Sequence, residues 1–383
     1  MMRPPRLIFA ALAALLAGSG LVSAKEACTS VDGPRCSVAL TTGITISYIE
    51  VGPEDGPAVV LIHGLTDNVR SWSTTMDSLH AINPDLHIMT VDLRGHGQSS
   101  MPDPATCATA PEACFRPADF AADIVAFLKA KGINKVDLAG HSLGSFIVQE
   151  IALTNPEMVG HAILDATATS GVGNVALADY VLKEPIEGSW RKALEAKGKT
   201  YPADFYDLTP LDADPDVASW LSVNWVVDPA ADPAFLVPYL PETASVKLGT
   251  WIGATKALLA QDNTERLKDL TVPTLVIWGT QDSIFLASDQ DAIKAALTIA
   301  AERHGQPIYW KQYGVLPLPA SGFQESDIGH NVQWAAFEGV ARDINAFIMD
   351  GAPTNDLVRS DAAPAVSTLI VEPGKAVVEK IGS

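Results

Sequence analysis

Short apolar runs recur along the chain, and amphipathic stretches separate them. "AVVLIHG" from Ala58, "HIMTVDLRGHG" from His87, "KVDLAG" from Lys135, "GHAILDAT" from Gly160 and "PTLVIWGTQD" from Pro273 each read as a strand buried on both faces. "CSVALTTGITISYIEVG" from Cys36 reads as two strands parted by Gly43. Residues 71–81, 118–131, 145–155 and 287–301 space their apolar positions as helices do, and a last helix is expected over 332–349. Buried strands alternating with helices predict an α/β fold, a mostly parallel sheet covered on both sides. No Ser/Gly/Pro-rich linker divides the strands, so they belong to one core, expected over 25–169 and 270–350.

Residues 170–269 break the alternation. They hold no buried apolar strand, are interrupted often by Pro and Asp, and contain Trp190, Trp220, Trp225, Trp251, Tyr180, Tyr201, Tyr206 and Tyr239. This is expected to be a helical insertion between two sheet strands that caps a substrate pocket. Most of these aromatics should form its own core, with about one in three facing the pocket. Residues 351–383 form a C-terminal extension, in which "VSTLIVEPGKAVVEKI" suggests a hairpin turning at Pro373-Gly374.

The first 24 residues read as a secretory signal. Arg3 and Arg6 precede an apolar run over 7–16, and Val22-Ser23-Ala24 fits a small-residue cleavage site. The run is short for a membrane span of roughly 20 residues. Lys25, Glu26 and Ala27 before Cys28 make a poor lipoprotein signal. A periplasmic or secreted protein without a stable membrane anchor is expected. The formal net charge of −19 disfavours nucleic acid and anionic lipid as partners. The 48 % hydrophobic content suffices for a large core. Four cysteines suit an exported chain and permit three pairings. Cys28 with Cys36, and Cys107 with Cys114, are the expected pairs. No histidine stands at ligand spacing from them, so neither metal nor cofactor is expected.

Candidate chemistry concentrates in "VDLAGHSLGSFIVQEIA", residues 136–152, a strand that turns into a helix at Gly140-His141-Ser142-Leu143-Gly144. Gly-x-Ser-x-Gly in that setting is a nucleophile elbow. A strained turn pushes the Ser142 hydroxyl clear of the sheet, and strand and helix then approach too closely for side chains at Gly140 and Gly144. The serine also sits at a helix N-terminus, where free N–H groups favour developing negative charge.

With "VVLIHGLTDN", "VDLRGHGQS", "GHSLG", "WGTQD" and "GHN" in this order, the chain resembles the α/β-hydrolase superfamily over residues 44–349, and within it the cap-bearing serine hydrolases. The resemblance implies that Asp282, after "TLVIWG", is the acid and His330, in "SDIGH", the base for Ser142. Asp165, at the end of "AILD", is a rival acid, because some relatives place it there. The main-chain N–H groups of Leu65 and Leu143 are the implied oxyanion donors. His63 and His141 are read as structural. Asp92, Arg94 and His96 are read as a tight turn in which Asp92 and Arg94 satisfy local backbone and each other. His304, Asp289 and Asp291 should face solvent. One departure from the family pattern is "YWKQYGVLPLPASGFQESDIGH", a long loop inserted before the histidine that could form part of the pocket wall.

Serine at the elbow, rather than the aspartate of haloalkane dehalogenases and epoxide hydrolases, implies an acyl-enzyme. The expected activity is hydrolysis of a carboxylic ester or lactone. The same triad also serves carbon–carbon bond hydrolases, perhydrolases of the haloperoxidase type and aminopeptidases; the last would need acidic cap groups to hold an amine. A catalytically dead binder is the reading from another class.

Overall fold

The computed structural model describes residues 28–225, 233–314, 328–363, 366–372 and 377–382. The expected signal sequence lies outside these residues. Ten of eleven strands follow the order β1 (Cys36–Ala39), β2 (Thr45–Val51), β3 (Ala58–Ile62), β4 (His87–Asp92), β5 (Val136–His141), β6 (Val159–Asp165), β7 (Thr274–Gly279), β8 (Ile308–Tyr313), β9 (Leu357–Ala363) and β10 (Val366–Glu372), and β11 (Val378–Lys380) closes the series. Nine of them form one sheet, ordered β1-β2-β4-β3-β5-β6-β7-β8-β11. From β4 to β8 all neighbours are parallel, while β1, β2 and β11 add antiparallel edges.

Alternate residues of the central strands feed two separate cores, which is why these strands read as continuous apolar runs. Val60, Ile62, Leu138, Leu164 and Val276 join α2 (Pro117–Ala130), α3 (Leu143–Thr154) and α4 (Ala287–His304) on one face. Here α1 denotes Ser73–Ile82 and α5 denotes Phe337–Asp350. Val59, Leu61, Ala139, Ile163, Leu275 and Ile277 join α1 and α5 on the other face. Each fully buried Val, Leu or Ile among them contributes about 1.5–3 kcal/mol of transfer free energy. The last expected helix is broken at Ala336 (φ −123°, ψ 28°), which separates Val332–Ala335 from α5.

Among the described residues, the stretch between β6 and β7 holds helices and a single isolated bridge, Ser170 with Asp262. Its main helices are Ala176–Trp190, kinked at Glu184 before Pro185, then Val217–Asn224, Pro233–Ala244 and Leu248–Leu259. Trp190, Trp251 and Tyr206 fill its core.

Two expectations are corrected. The long insertion before His330 begins with a strand: residues 308–313 form β8, parallel to β7. Lys311 hides this strand in the sequence. Its buried ammonium pairs with Asp343 of α5 at 2.8 Å and also donates to Thr354. The rest of that insertion, 315–327, lies outside the described residues, as does its expected part in the pocket wall. The expected C-terminal hairpin is also rearranged. β10 pairs with β9, whereas β11 covers the free edge of β8 and seats Ile381 in the core. Its expected turn at Pro373-Gly374 lies outside the described residues. Cys28 with Cys36, and Cys107 with Cys114, stand at disulfide-bonding distance.

Candidate active site

Ser142 leaves β5 with φ 52° and ψ −117° and precedes the first turn of α3. Left-handed backbone at a residue with a side chain costs about 1–3 kcal/mol and needs surrounding structure to hold it. That structure is present. The Ser142 N–H donates to the Asp165 main-chain oxygen at 2.9 Å, and the Ser142 carbonyl accepts from Ser145 N at 2.9 Å and Ser145 Oγ at 2.6 Å. A Cβ on Gly140 would stand 2.2 Å from the Gly144 oxygen, and one on Gly144 would stand 2.3 Å from the Ile62 oxygen. Strand, elbow and helix therefore touch backbone to backbone. Thr66, Ser142 and Ala166 are the three described non-glycine residues with positive φ, and they follow β3, β5 and β6 at the same edge.

His330 Nδ1 lies 3.0 Å from both oxygens of Asp282. An Nδ1–H held by a carboxylate leaves Nε2 as the basic nitrogen. Asp282 occupies the turn after β7, and its Oδ1 also accepts the N–H groups of Ile284 at 2.8 Å and Phe285 at 3.0 Å. The two loops are joined directly, since the Gln281 N–H donates to the Ile328 oxygen at 2.9 Å. Asp165 is buried at the end of β6. Ser142 and His330 line one cavity of about 700 Å³.

Leu65 lines that cavity after β3, and Leu143 opens α3, where first-turn N–H groups lack helical acceptors. Two histidines clip the surrounding loops. His63 Nδ1 meets the Gly64 oxygen at 2.8 Å, and its Nε2 accepts from Leu93 N at 3.0 Å. His96 Nδ1 meets the Arg94 oxygen at 2.8 Å, and its Nε2 accepts from Thr66 N at 3.2 Å. Each ring uses one nitrogen as donor and the other as acceptor, so each is neutral. Burial holds His63 well below the ordinary histidine range and His96 down to about 4.

The turn after β4 is structural, but Asp92 and Arg94 do not pair with each other. Asp92 accepts the N–H groups of Val69 and Gln98, both at 2.9 Å, while Arg94 reaches Asp123 of α2 at 2.6 and 2.8 Å. The longer Arg94 side chain carries its charge to the helix, where a fully buried carboxylate requires it. His304 is exposed at the end of α4, and Asp291 is exposed in the same helix. Asp289 departs from its expected solvent position: half-buried, it lines the cavity and caps α4 by accepting the Leu286 N–H at 2.7 Å.

Asp67 and Glu184 line the cavity although sequence reasoning gave them no role, and His141, read as structural, lines it as well. Asp67 is buried two residues beyond Leu65, and accepts from Tyr239 Oη at 2.7 Å and Ser71 Oγ at 2.9 Å. Burial raises its carboxyl to about 6 against those hydrogen bonds. His141 Nε2 donates to the His330 main-chain oxygen at 3.0 Å, so the elbow histidine steadies the loop of the expected base. Glu184 enters from the kinked helix. Of the eight aromatics singled out in the helical segment, Tyr180, Trp220, Trp225 and Tyr239 line the cavity, half rather than a third. Only assembly of the helices against the sheet decides which ones do.

Comparison with known proteins agrees with this architecture. A curated lipase of Mus musculus acting on (lyso)-N-acylphosphatidylethanolamine is 37 % identical over 129 residues, 33 % of this chain and 35 % of its own. Against another curated relative, from Bacillus subtilis, the chain spans 55 % of the relative's length. An enol-lactonase from Burkholderia xenovorans LB400 superposes with a TM-score of 0.57 at 16 % identity, over 82 % of this chain and 99 % of that one. An esterase from Exiguobacterium antarcticum gives 0.59 at 15 %, over 82 % and 98 %. The model of the alpha/beta hydrolase fold matches residues 57–335, most of the chain, and the protein therefore belongs to the α/β-hydrolase family.

Proposed function

We propose that this hydrolase is an exported serine enzyme that cleaves a carboxylic ester or lactone through an acyl-enzyme. The observation that carries this reading is a strained serine and an Asp282-held histidine lining one cavity. In the proposed sequence, His330 Nε2 takes the proton from Ser142 Oγ as the hydroxyl oxygen attacks the substrate carbonyl. Negative charge gathers on the carbonyl oxygen, between the N–H groups of Leu65 and Leu143. The tetrahedral intermediate then collapses, and the alcohol leaves with the proton from His330. A water activated by the same imidazole hydrolyses the acyl-serine and regenerates the hydroxyl. In a lactone the leaving alcohol stays attached to the acyl group. Asp282 fixes the imidazole tautomer throughout and stabilises the imidazolium.

Residues 170–269 serve as the cap in this reading, and 25–169 with 270–350 serve as the catalytic core. Export, with removal of residues 1–24, is supported by the leader pattern and by the two cysteine pairs at bonding distance. The test is turnover of p-nitrophenyl butyrate and labelling by a fluorophosphonate probe. The native chain is expected to give both and Ser142→Ala neither, at unchanged circular dichroism. Turnover retained in Ser142→Ala would overturn the assignment.

A further inference from the structure

We propose that the cavity continues outward into an apolar rim, formed by Val172, Val175, Tyr180 and Leu286, that binds an alkyl chain of the substrate and makes long-chain esters the preferred class. The proposal rests on the serine-hydrolase reading and deepens it. The cavity has a floor and a mouth. Ser142, Tyr239 and His330 line it and are buried, so they lie at its floor. Val172, Val175, Tyr180 and Leu286 line the same cavity and are 60, 61, 72 and 52 % exposed, so they stand at its mouth. They are four of the ten large apolar side chains exposed among the described residues. Scattered singly, such side chains are ordinary on a protein surface; gathered at one cavity mouth, they mark a ligand groove.

The rim is continuous with the site and is held from the catalytic side. Leu177 and Val181, on the helix that carries Tyr180, extend the apolar lining inward and are buried. Ile284, also in the lining, gives its N–H to the Asp282 carboxylate, and its carbonyl accepts from Asn174 Nδ2 at 2.7 Å. Asn174 Oδ1 accepts in turn from the Leu177 N–H at 2.9 Å. Leu286 is fixed two residues after Ile284, where its N–H donates to Asp289. The turn of the expected acid and the start of the Tyr180 helix are therefore one hydrogen-bonded unit. A chain that outgrows the cavity meets these apolar side chains next. Each methylene laid on them leaves water on one side, and half the transfer free energy of a buried methylene is about twofold in kcat/KM.

The test places the chain on either side of the ester, using the full-length protein and concentrations below those at which the esters aggregate. One series is p-nitrophenyl acetate, butyrate, hexanoate, octanoate and decanoate. The other is the acetates of butanol, hexanol, octanol and decanol, followed by proton release. We expect kcat/KM to rise at least tenfold from the four-carbon to the ten-carbon chain in one of the two series, chiefly through KM. In Tyr180→Ser, and in Val175→Ser combined with Leu286→Ser, that ratio should fall about threefold or more. Val223→Ser, at an exposed apolar side chain outside the lining, should leave it within twofold. Both chain lengths are read on one protein, so a general loss of activity or folded fraction cancels. A flat profile in both series, or a rise that survives the rim replacements, overturns the proposal and leaves the esterase reading standing. No turnover of any ester, with no fluorophosphonate labelling, overturns both.

Discussion

The strand-end site and the helical segment above it are built by different rules. At the strand ends, backbone meets backbone, and two buried histidines are locked neutral as loop clips. Nothing there can move by an ångström without breaking several contacts. In the helical segment the cavity wall is made of side chains, several largely exposed, including Tyr180 at 72 % and Val175 at 61 %. The contrast separates chemistry from choice. The first region is specified by short local motifs, and the second by how distant helices meet, so the second can change while the first stays.

The largest expected effect is Ser142→Ala, which should lower kcat/KM by about 10⁵–10⁶. Next is Asp282→Asn, at about 10⁴, from loss of the imidazole tautomer. Asp165→Asn should stay within about tenfold, and the reverse ranking in steady-state kinetics would exchange the two acids. Gly144→Ala should cost about 3 kcal/mol or more, since its Cβ would meet main-chain oxygen at 2.3 Å. By contrast, Val223→Ala, at a side chain 78 % exposed, should change stability by less than about 0.5 kcal/mol. Equal changes in midpoint in urea would erase the proposed division between the two regions.

Asp67 gives a smaller effect with a definite sign. Its carboxyl is raised from 3.8 to about 6 in the fold, so between those values the native state holds a proton that the unfolded chain has lost. Stability should therefore fall as pH rises from about 4 to about 6, by on the order of 3 kcal/mol from this group, and then level off. Asp67→Asn should remove that slope, and an unaltered slope in urea titrations would place the effect elsewhere. The smallest effect is expected from Trp220→Ala or Tyr180→Ala. Each should shift KM a few-fold and reorder acyl-chain preference with kcat within about twofold; a collapse of kcat would tie the segment to the chemical step.

Much of the first region was legible in the sequence. Continuous apolar runs mark β3 to β7 because both faces of each are covered, and the two glycines mark a contact that no larger residue survives. β8 was not legible. Its Lys311 reads as loop until Asp343, on a helix 32 residues away, is brought beneath it. The partner of Arg94 was missed for the same reason: Asp123 lies on α2, and nothing local points to it. Asp67, Glu184 and Asp289 acquire meaning only as members of one wall, and their separation along the chain conceals that.

The stem of the helical segment is sewn to the serine's own helix. Gln149 of α3 donates to Thr167 Oγ1 at 2.9 Å and to the Ala168 oxygen at 3.0 Å, and accepts from Asn263 at 3.0 Å on the returning strand of chain. Thr169 and Asn263 are joined to each other at 2.8 Å through their backbones. Departure and return are thus riveted to the body that carries the nucleophile. If residues 170–269 act as the proposed cap, this riveted stem keeps their root fixed to the body that carries Ser142, so a change in the cap beyond Ser170 would leave the geometry of attack in place.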